Sequence, residues 1–318
     1  MRLVQAGPES IVQAGQALRC GGVIAFPTET VYGLGALAFN PVAVARIFEI
    51  KGRPHFDPLI VHVLDREMLA QVVAEVPRVA ERLVERFWPG PLTLVLRKQR
   101  EVPGIVTAGL PTVAVRMPSH EFARSLLKEV GAPLAAPSAN PFGGLSPTRA
   151  EHVTAGLGER VDLIIDGGLS AYGLESTIVA LEPEAALLRP GAIPVEAIEA
   201  VVGRLARGRV GPPQAPGGLP HHYSPRTPLR LIDPRLVPAH ERKLAGALAL
   251  REAFDGYAAV RILSRDGDLR EAAARFVEAL HQLDSLALER IDAQPLPENG
   301  LGLAMMDRLA RAAAGRNS

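Results

Sequence analysis

The chain has 318 residues, which at roughly 150 residues per domain suits two domains, each able to bury a core of its own. Apolar side chains make up 47% and charged ones 22%, a globular balance that excludes a disordered or collagen-like polymer. The 35 basic and 34 acidic residues leave a net charge of +1. No global field therefore marks a nucleic-acid coat or a membrane-surface protein, and any anion site must be local. With Cys20 the single cysteine, there is neither a disulfide framework nor a cysteine cluster for zinc, which fits a reducing compartment. The first residues lack a signal pattern, and no apolar run approaches the ~18 residues of a membrane span, so a cytoplasmic location is expected.

Residues 22–26 read as a short buried strand that stops at Pro27, followed by a polar loop with Gly33 and Gly35. A helix follows over 40–50, with Asn40 as N-cap, Pro41 in its first turn and Val44, Ile47 and Phe48 on one face. Further strands are predicted at 59–63, 92–96, 112–116, 161–165 and 177–181, and helices at 66–73, 77–87, 119–130 and 195–205. Without strict alternation, this pattern implies an α/β fold with a twisted mixed sheet packed by helices. Residues 206–228 are rich in proline and glycine and read as a linker between residues 1–205 and 229–318. Beyond it, strands at 229–232, 245–249, 258–263 and 287–291 with helices near 268–282 and 302–314 form a smaller α/β domain, expected to be three-layered.

The segment from Phe26 to Gly35 places hydroxyls, a carboxylate and glycines directly after a strand, where open α/β sheets bind ligands. Gly33, Gly35 and Ala38 match G-x-G-x-x-A, but too far beyond the strand for a dinucleotide turn, which removes the main support for an oxidoreductase. Lys51, Gly52, Arg53 and Pro54 set two cations around a glycine just past a helix, an anion cradle for phosphates. Arg116, at the end of an alternating strand, suits bidentate recognition of a carboxylate. Ser138, Asn140 and Ser146 supply neutral donors in a glycine-rich loop. No phosphate-loop, G-x-S-x-G or H-E-x-x-H pattern occurs, so phosphate-loop ATPase, lipase-type hydrolase and zinc-protease readings lose their main support.

Taken in order, Pro27 to Gly35, Lys51 to Pro54, Pro58 to His62, Trp88 to Thr93, Pro137 to Asn140 and Glu175 to Thr177 closely resemble the threonylcarbamoyl-AMP synthases of the YrdC-like family. His222 to Pro225 resembles the linker of the longer family form, and Gly300 to Arg308 resembles its last helix. The resemblance implies a YrdC-like catalytic domain that makes L-threonylcarbamoyl-adenylate and pyrophosphate from L-threonine, bicarbonate and ATP. The product would pass to a tRNA threonylcarbamoyl transferase complex, with no membrane involved and no stable tRNA binding by this chain required. Mg²⁺ would arrive with ATP, and no protein metal site is expected. In family terms Thr30, His62, Arg116, Ala136 and Ser176 surround threonine. Arg53, Asp57, Thr112, Ser138, Asn140, Ser146, Arg189 and Tyr223 surround the nucleotide, with Lys51 and Arg53 as the catalytic cations.

Two departures from the family pattern stand out. Asp57 occupies a position where the family often has asparagine, and it brings a negative charge near a polyanion unless it serves the metal or an arginine. The linker lacks the methionine-lysine-tyrosine often found before the histidine-tyrosine pair. With His221, His222 and Tyr223 among stiff prolines, it is expected to form a lid over the nucleotide. The competing reading is a non-catalytic tRNA-binding module of the same fold. Such a module needs a basic stripe, which a net charge of +1 does not favour.

Overall fold

The computed structural model describes residues 2–207 and 223–314. The first part begins with β1 (Leu3–Gln5), α1 (Pro8–Arg19), β2 (Ile24–Phe26), β3 (Gly33–Leu37), α2 (Pro41–Lys51), β4 (Ile60–His62), α3 (Arg66–Val72) and α4 (Arg78–Phe87). It continues through β5 (Leu92–Arg97), α5 (Gly104–Thr107), β6 (Thr112–Arg116), α6 (Glu121–Val130) and β7 (Leu134–Ala135). It closes with α7 (Ala150–Leu157), β8 (Leu163–Asp166), β9 (Thr177–Ala180), β10 (Ala186–Arg189) and α8 (Val195–Val202). Beyond residue 223 lie β11 (Leu229–Leu231), α9 (Ala239–Arg242), β12 (Ala245–Ala249), β13 (Ala259–Ile262), α10 (Leu269–Asp284), β14 (Arg290–Ala293) and α11 (Gly300–Ala314).

The ten strands of the first part form one mixed sheet in the order β1-β8-β2-β3-β7-β4-β6-β5-β9-β10. The last four strands form a parallel sheet ordered β11-β14-β12-β13. This is the mixed α/β architecture with a smaller second sheet that the sequence predicts. Helices α10 and α11 share a core with Leu248 of β12, whereas Phe254 packs with the alternate residues Ala247 and Ala249, as period-two strands require. Leu145, Leu174 and Ala192 join the α10–α11 core, so the two sheets are bridged by apolar contact. Among the described residues no helix is long and apolar enough to cross a membrane.

Local sequence explains how the site segments are delivered. The Asn40 side chain caps α2 by accepting from the amides of Val42 and Ala43, both at 3.1 Å, and Gly52 ends the helix at φ 63°. That left-handed conformation suits glycine and turns Arg53 out of the helix. Strands β4 and β6 pair in parallel with His62 opposite Arg116, so register alone makes neighbours of two residues far apart in sequence. Gly33 and Gly35, expected in a loop, lie in β3 across from β2. A Cβ on Gly35 would come within 2.6 Å of the Phe26 ring, so glycine is needed here for close packing. No element is predicted from the sequence at β1, α1, α5, β7, α7, β10 or α9. The shortest strand, β7, has two residues and carries too little pattern to be seen without its partners.

Behind the site the backbone leaves no room for a side chain at Gly191, where a Cβ would lie 2.4 Å from the carbonyl oxygen of Glu175 and 2.5 Å from the backbone of Ser176 and Thr177. Gly191→Ala is expected to destabilise the protein by about 2 kcal/mol or more, because the obstruction is backbone. Gly104→Ala, with nothing within 4 Å of the new methyl, should be close to neutral. Urea unfolding of the two variants checks this contrast.

Candidate active site

One cleft, about 530 Å³ with its opening to solvent included, collects residues from strands β3, β4, β6 and β10 and from the loops beside them. Its walls include Thr30, His62, Arg116, Ala136 and Ser176, together with Arg53, Ser138, Arg189 and Tyr223. Thr28, Val31, Tyr32, Gly33, Ile60, Pro137 and Glu175 complete the lining.

Arg116 is 3% exposed and already engaged inside the protein. Its Nε donates to the Gly90 carbonyl at 3.2 Å and its Nη1 to Thr30 Oγ1 at 2.8 Å. Its Nη2 lies 2.5 Å from Glu29 Oε1 in an ion pair whose angle falls outside hydrogen-bond geometry. Glu29 also accepts the Ser119 amide at 3.0 Å. Burial raises the pKa of Glu29, but the Arg116 charge and the Ser119 hydrogen bond outweigh it and hold the carboxyl at about 2. Buried charges are tolerated only when paired in this way. The sequence reading quoted Glu29 within its motif but gave it no role. The counter-ion of Arg116 became visible only when the loop after β2 met the end of β6.

His62 is buried beside this pair, and its Nδ1 has no hydrogen-bond partner. Burial, then the Arg116 charge, push its pKa down to about 3, so the ring is neutral at physiological pH. Ser176 Oγ lies 2.7 Å from Thr93 Oγ1. Arg189 holds the Ser176 carbonyl through Nε and Nη2, at 3.1 and 3.0 Å, and reaches its hydroxyl at 3.1 Å.

Five residues assigned to catalysis or the nucleotide are not on the cleft wall. Lys51, 4% exposed, donates Nζ to the carbonyls of Ser138 and Asn140 at 2.6 and 2.5 Å. It thereby pins the loop that presents Ser138. Burial, then the neighbouring Arg53 charge, lower its pKa well below the usual lysine value. Asp57 is fully buried and sits 2.9 Å from Arg53 Nη2, four residues away in sequence. Its burial raises the carboxyl pKa against the pull of Arg53. The unexpected negative charge therefore serves an arginine.

Asn140 spends its side-chain amide on the carbonyls of Pro141 and Gly144, at 2.8 and 2.9 Å, which shapes the glycine-rich loop. Ser146 donates to Glu175 Oε1 at 2.5 Å. Thr112 begins β6, the strand that Arg116 ends, and faces a different crevice with Glu75, Arg97 and Glu182. A strand rises ~3.3 Å per residue, which keeps the two ends well apart. His221 and His222 lie outside the described residues, whereas Tyr223 is buried on the cleft wall.

A family model described as "Telomere recombination" (Sua5, YciO and YrdC) matches residues 16–191, and one described as "Threonylcarbamoyl-AMP synthase, C-terminal domain" matches residues 193–314. The fold and these matches define an enzyme of nucleotidyltransferase type. The chain belongs to the threonylcarbamoyl-AMP synthase family. The threonylcarbamoyl-AMP synthase of Bacillus subtilis is 42% identical over 323 residues, covering 96% of this chain and 93% of the relative. The crystal structure of Pyrococcus abyssi Sua5 complexed with L-threonine superposes with a TM-score of 0.92 at 40% identity, covering 99% of this chain and 98% of that one. E. coli YciO matches with a TM-score of 0.54 at 29% identity, over 60% of this chain and 93% of its own.

Two pH effects on stability follow from these groups. His62 is neutral in the fold but takes up a proton near pH 6.5 when unfolded. Its contribution is complete above that pH and is lost as pH falls toward about 3. Glu29 and Glu175, each held at about 2 from 4.5, lose theirs as pH falls from 4.5 toward 2. A His62→Gln variant should therefore show a flatter dependence of unfolding free energy between pH 6.5 and 4.5. The slope removed is at most about 1.4 kcal/mol per pH unit, measured by urea titration at each pH.

Proposed function

We propose that this chain makes L-threonylcarbamoyl-adenylate and pyrophosphate from L-threonine, bicarbonate and MgATP, for N6-threonylcarbamoyl modification of tRNA adenosine. The observation that carries the reading is the pairing of two unlike half-sites in one cleft. Buried Arg116 with Thr30, His62 and Ser176 forms one, and Arg53, Arg189, Ser138 and Tyr223 form the other. The first suits a small hydroxy amino acid, and the second a nucleotide polyphosphate. The likeness to a relative solved with L-threonine supports the first assignment.

In this reading the threonine carboxylate meets the unspent N–H groups of Arg116 along the Nη edge, while Glu29 holds the guanidinium still. A fork so oriented recognises a planar carboxylate better than a lysine point charge would. The side-chain hydroxyl is read by neutral groups, of which His62 with its unpartnered Nδ1 is best placed. A site with buried polar groups built for a hydroxyl rejects analogues that lack it.

The threonine amine adds to bicarbonate to form a carbamate with loss of water. A carbamate oxygen then attacks the α-phosphorus of ATP, the bond to the β-phosphate breaks, and pyrophosphate leaves. Arg53 and Arg189 neutralise charge on the phosphates, and the chain's main contribution is position and electrostatics. Lys51 and Asn140 act one step back, by fixing the loop that carries Ser138.

Among the described residues no cluster of three or more His, Cys, Asp or Glu side chains could hold a metal ion. Asp57 Oδ2 lies 2.9 Å from Arg53 Nη2, so this carboxylate is paired with an arginine. In this reading the divalent ion enters with ATP, which suits its preference for phosphate oxygens and water.

Pyrophosphate release should require all three substrates together, and release without threonine would refute the reading. Arg116→Lys should weaken threonine binding at least tenfold by calorimetry while leaving ATP binding within about twofold, since lysine cannot reproduce the fork. Unchanged threonine affinity in that variant would sink the assignment of Arg116.

A further inference from the structure

Arg308 belongs to α11, packed against the second sheet, yet it is the largest fully buried side chain among the described residues. Its Nε donates to Glu175 Oε2 at 2.9 Å, its Nη2 to the Pro190 carbonyl at 3.0 Å and its Nη1 to Asp307 at 2.7 Å. Its guanidinium carbon lies 4.4 Å from the centroid of the Tyr223 ring. One side chain from the C-terminal part thus holds three separate segments behind the cleft, around residues 175, 190 and 223. Two of its contacts, Glu175 and Tyr223, line the cleft, while Arg308 itself does not. The other Glu175 oxygen accepts from Ser146, which extends the chain of contacts into the glycine-rich loop.

Tyr223 has φ 64°, a left-handed conformation that costs a non-glycine residue of this size and persists only where neighbours enforce it. Its next residue, Ser224, donates its amide to Gly143 at 2.9 Å. The backbone is thereby anchored on one side, and the ring is held by stacking under Arg308. A buried ion pair is often no more stabilising than apolar residues of equal volume. Its use here is geometric, since planar stacking and a fork of donors fix orientation as an apolar side chain would not.

We propose that Arg308 is a positioning residue for the nucleotide half of the site, acting by fixing the Tyr223 ring and, through Glu175, Ser146. The inference rests on the reading of the cleft as an adenylate-forming site, and it gives the C-terminal part a defined task there. Arg308→Met is expected to weaken ATP binding about tenfold and threonine binding less than twofold, in calorimetric titrations of the full chain. In a Tyr223→Ala background the same change should weaken ATP binding by less than threefold, because two residues acting through one contact do not add. Should the Met variant not fold, Arg308→Lys carries the same cycle, since it keeps the charge beside Glu175 and gives up the planar stack.

Equal losses for ATP and threonine, or the same factor in both Tyr223 backgrounds, would mark Arg308 as merely structural and overturn the proposal. Full-chain protein that binds ATP but releases no threonine-dependent pyrophosphate would sink the proposed function alone, leaving the ATP cycle to judge Arg308. Protein that binds no ATP at all would overturn both.

Discussion

Arg116 could not sit where it does without Glu29. A guanidinium that is 3% exposed at the end of a central strand carries a desolvation cost of several kcal/mol unless a counter-ion accompanies it inside. That counter-ion comes from the loop after β2, so the loop must fold back onto β6. Once it does, Thr30 falls on Arg116 Nη1 and His62 stands beside both by the β4–β6 register. The pair also sets the protonation of its neighbours, holding Glu29 ionised and helping to keep His62 neutral. Shape, charge and hydrogen-bonding capacity of this half of the cleft follow from a single buried ion pair.

The other half repeats the solution with different partners. Arg53 is neutralised by Asp57, and Arg308 by Glu175, whose remaining oxygen takes a hydrogen bond from Ser146. Arg189 is spent on the carbonyl and hydroxyl of Ser176. A ligand in such a cleft meets oriented donors away from bulk water, where they are stronger than in water. Lys51 shows the same economy, since its ammonium lies buried under the loop carbonyls of Ser138 and Asn140 instead of projecting toward ligand.

The apolar joint between the two sheets explains why a C-terminal segment can reach the surroundings of the cleft. Leu145, Leu174 and Ala192 share a core with α10 and α11, which fixes α11 well enough for Arg308 to reach Glu175 and Pro190. His281 of α10 adds a contact to the Ser146 carbonyl at 2.9 Å and stacks on His152, with ring centroids 3.6 Å apart. The contacts of Arg308 with Glu175 and Pro190, and of His281 with Ser146 and His152, each join residues more than a hundred positions apart in the chain.

That separation marks the limit of what the linear order could disclose. Helix α2 was legible because its signals are local: an asparagine cap, a proline in the first turn and a glycine at the end, each acting within a few residues. The apolar strands β4, β5, β6 and β9 were legible from composition, and the motifs beside them named the residue types of the cleft. The two-residue β7 and the glycines of β3 carry no such pattern, since pairing and the Phe26 ring define them. The roles of Lys51, Asn140 and Ser146 were out of reach for the same reason, and for Asp57 the sequence left a metal and an arginine as alternatives. A side chain's type shows what it can bond to, but its partner is chosen by which distant segment arrives beside it. By itself the sequence determined the elements with local signals, the residue types of the cleft and the family. Only the tertiary structure decided which arginine each buried carboxylate neutralises, and which polar groups remain for a ligand, because a buried charge must find its partner across the fold.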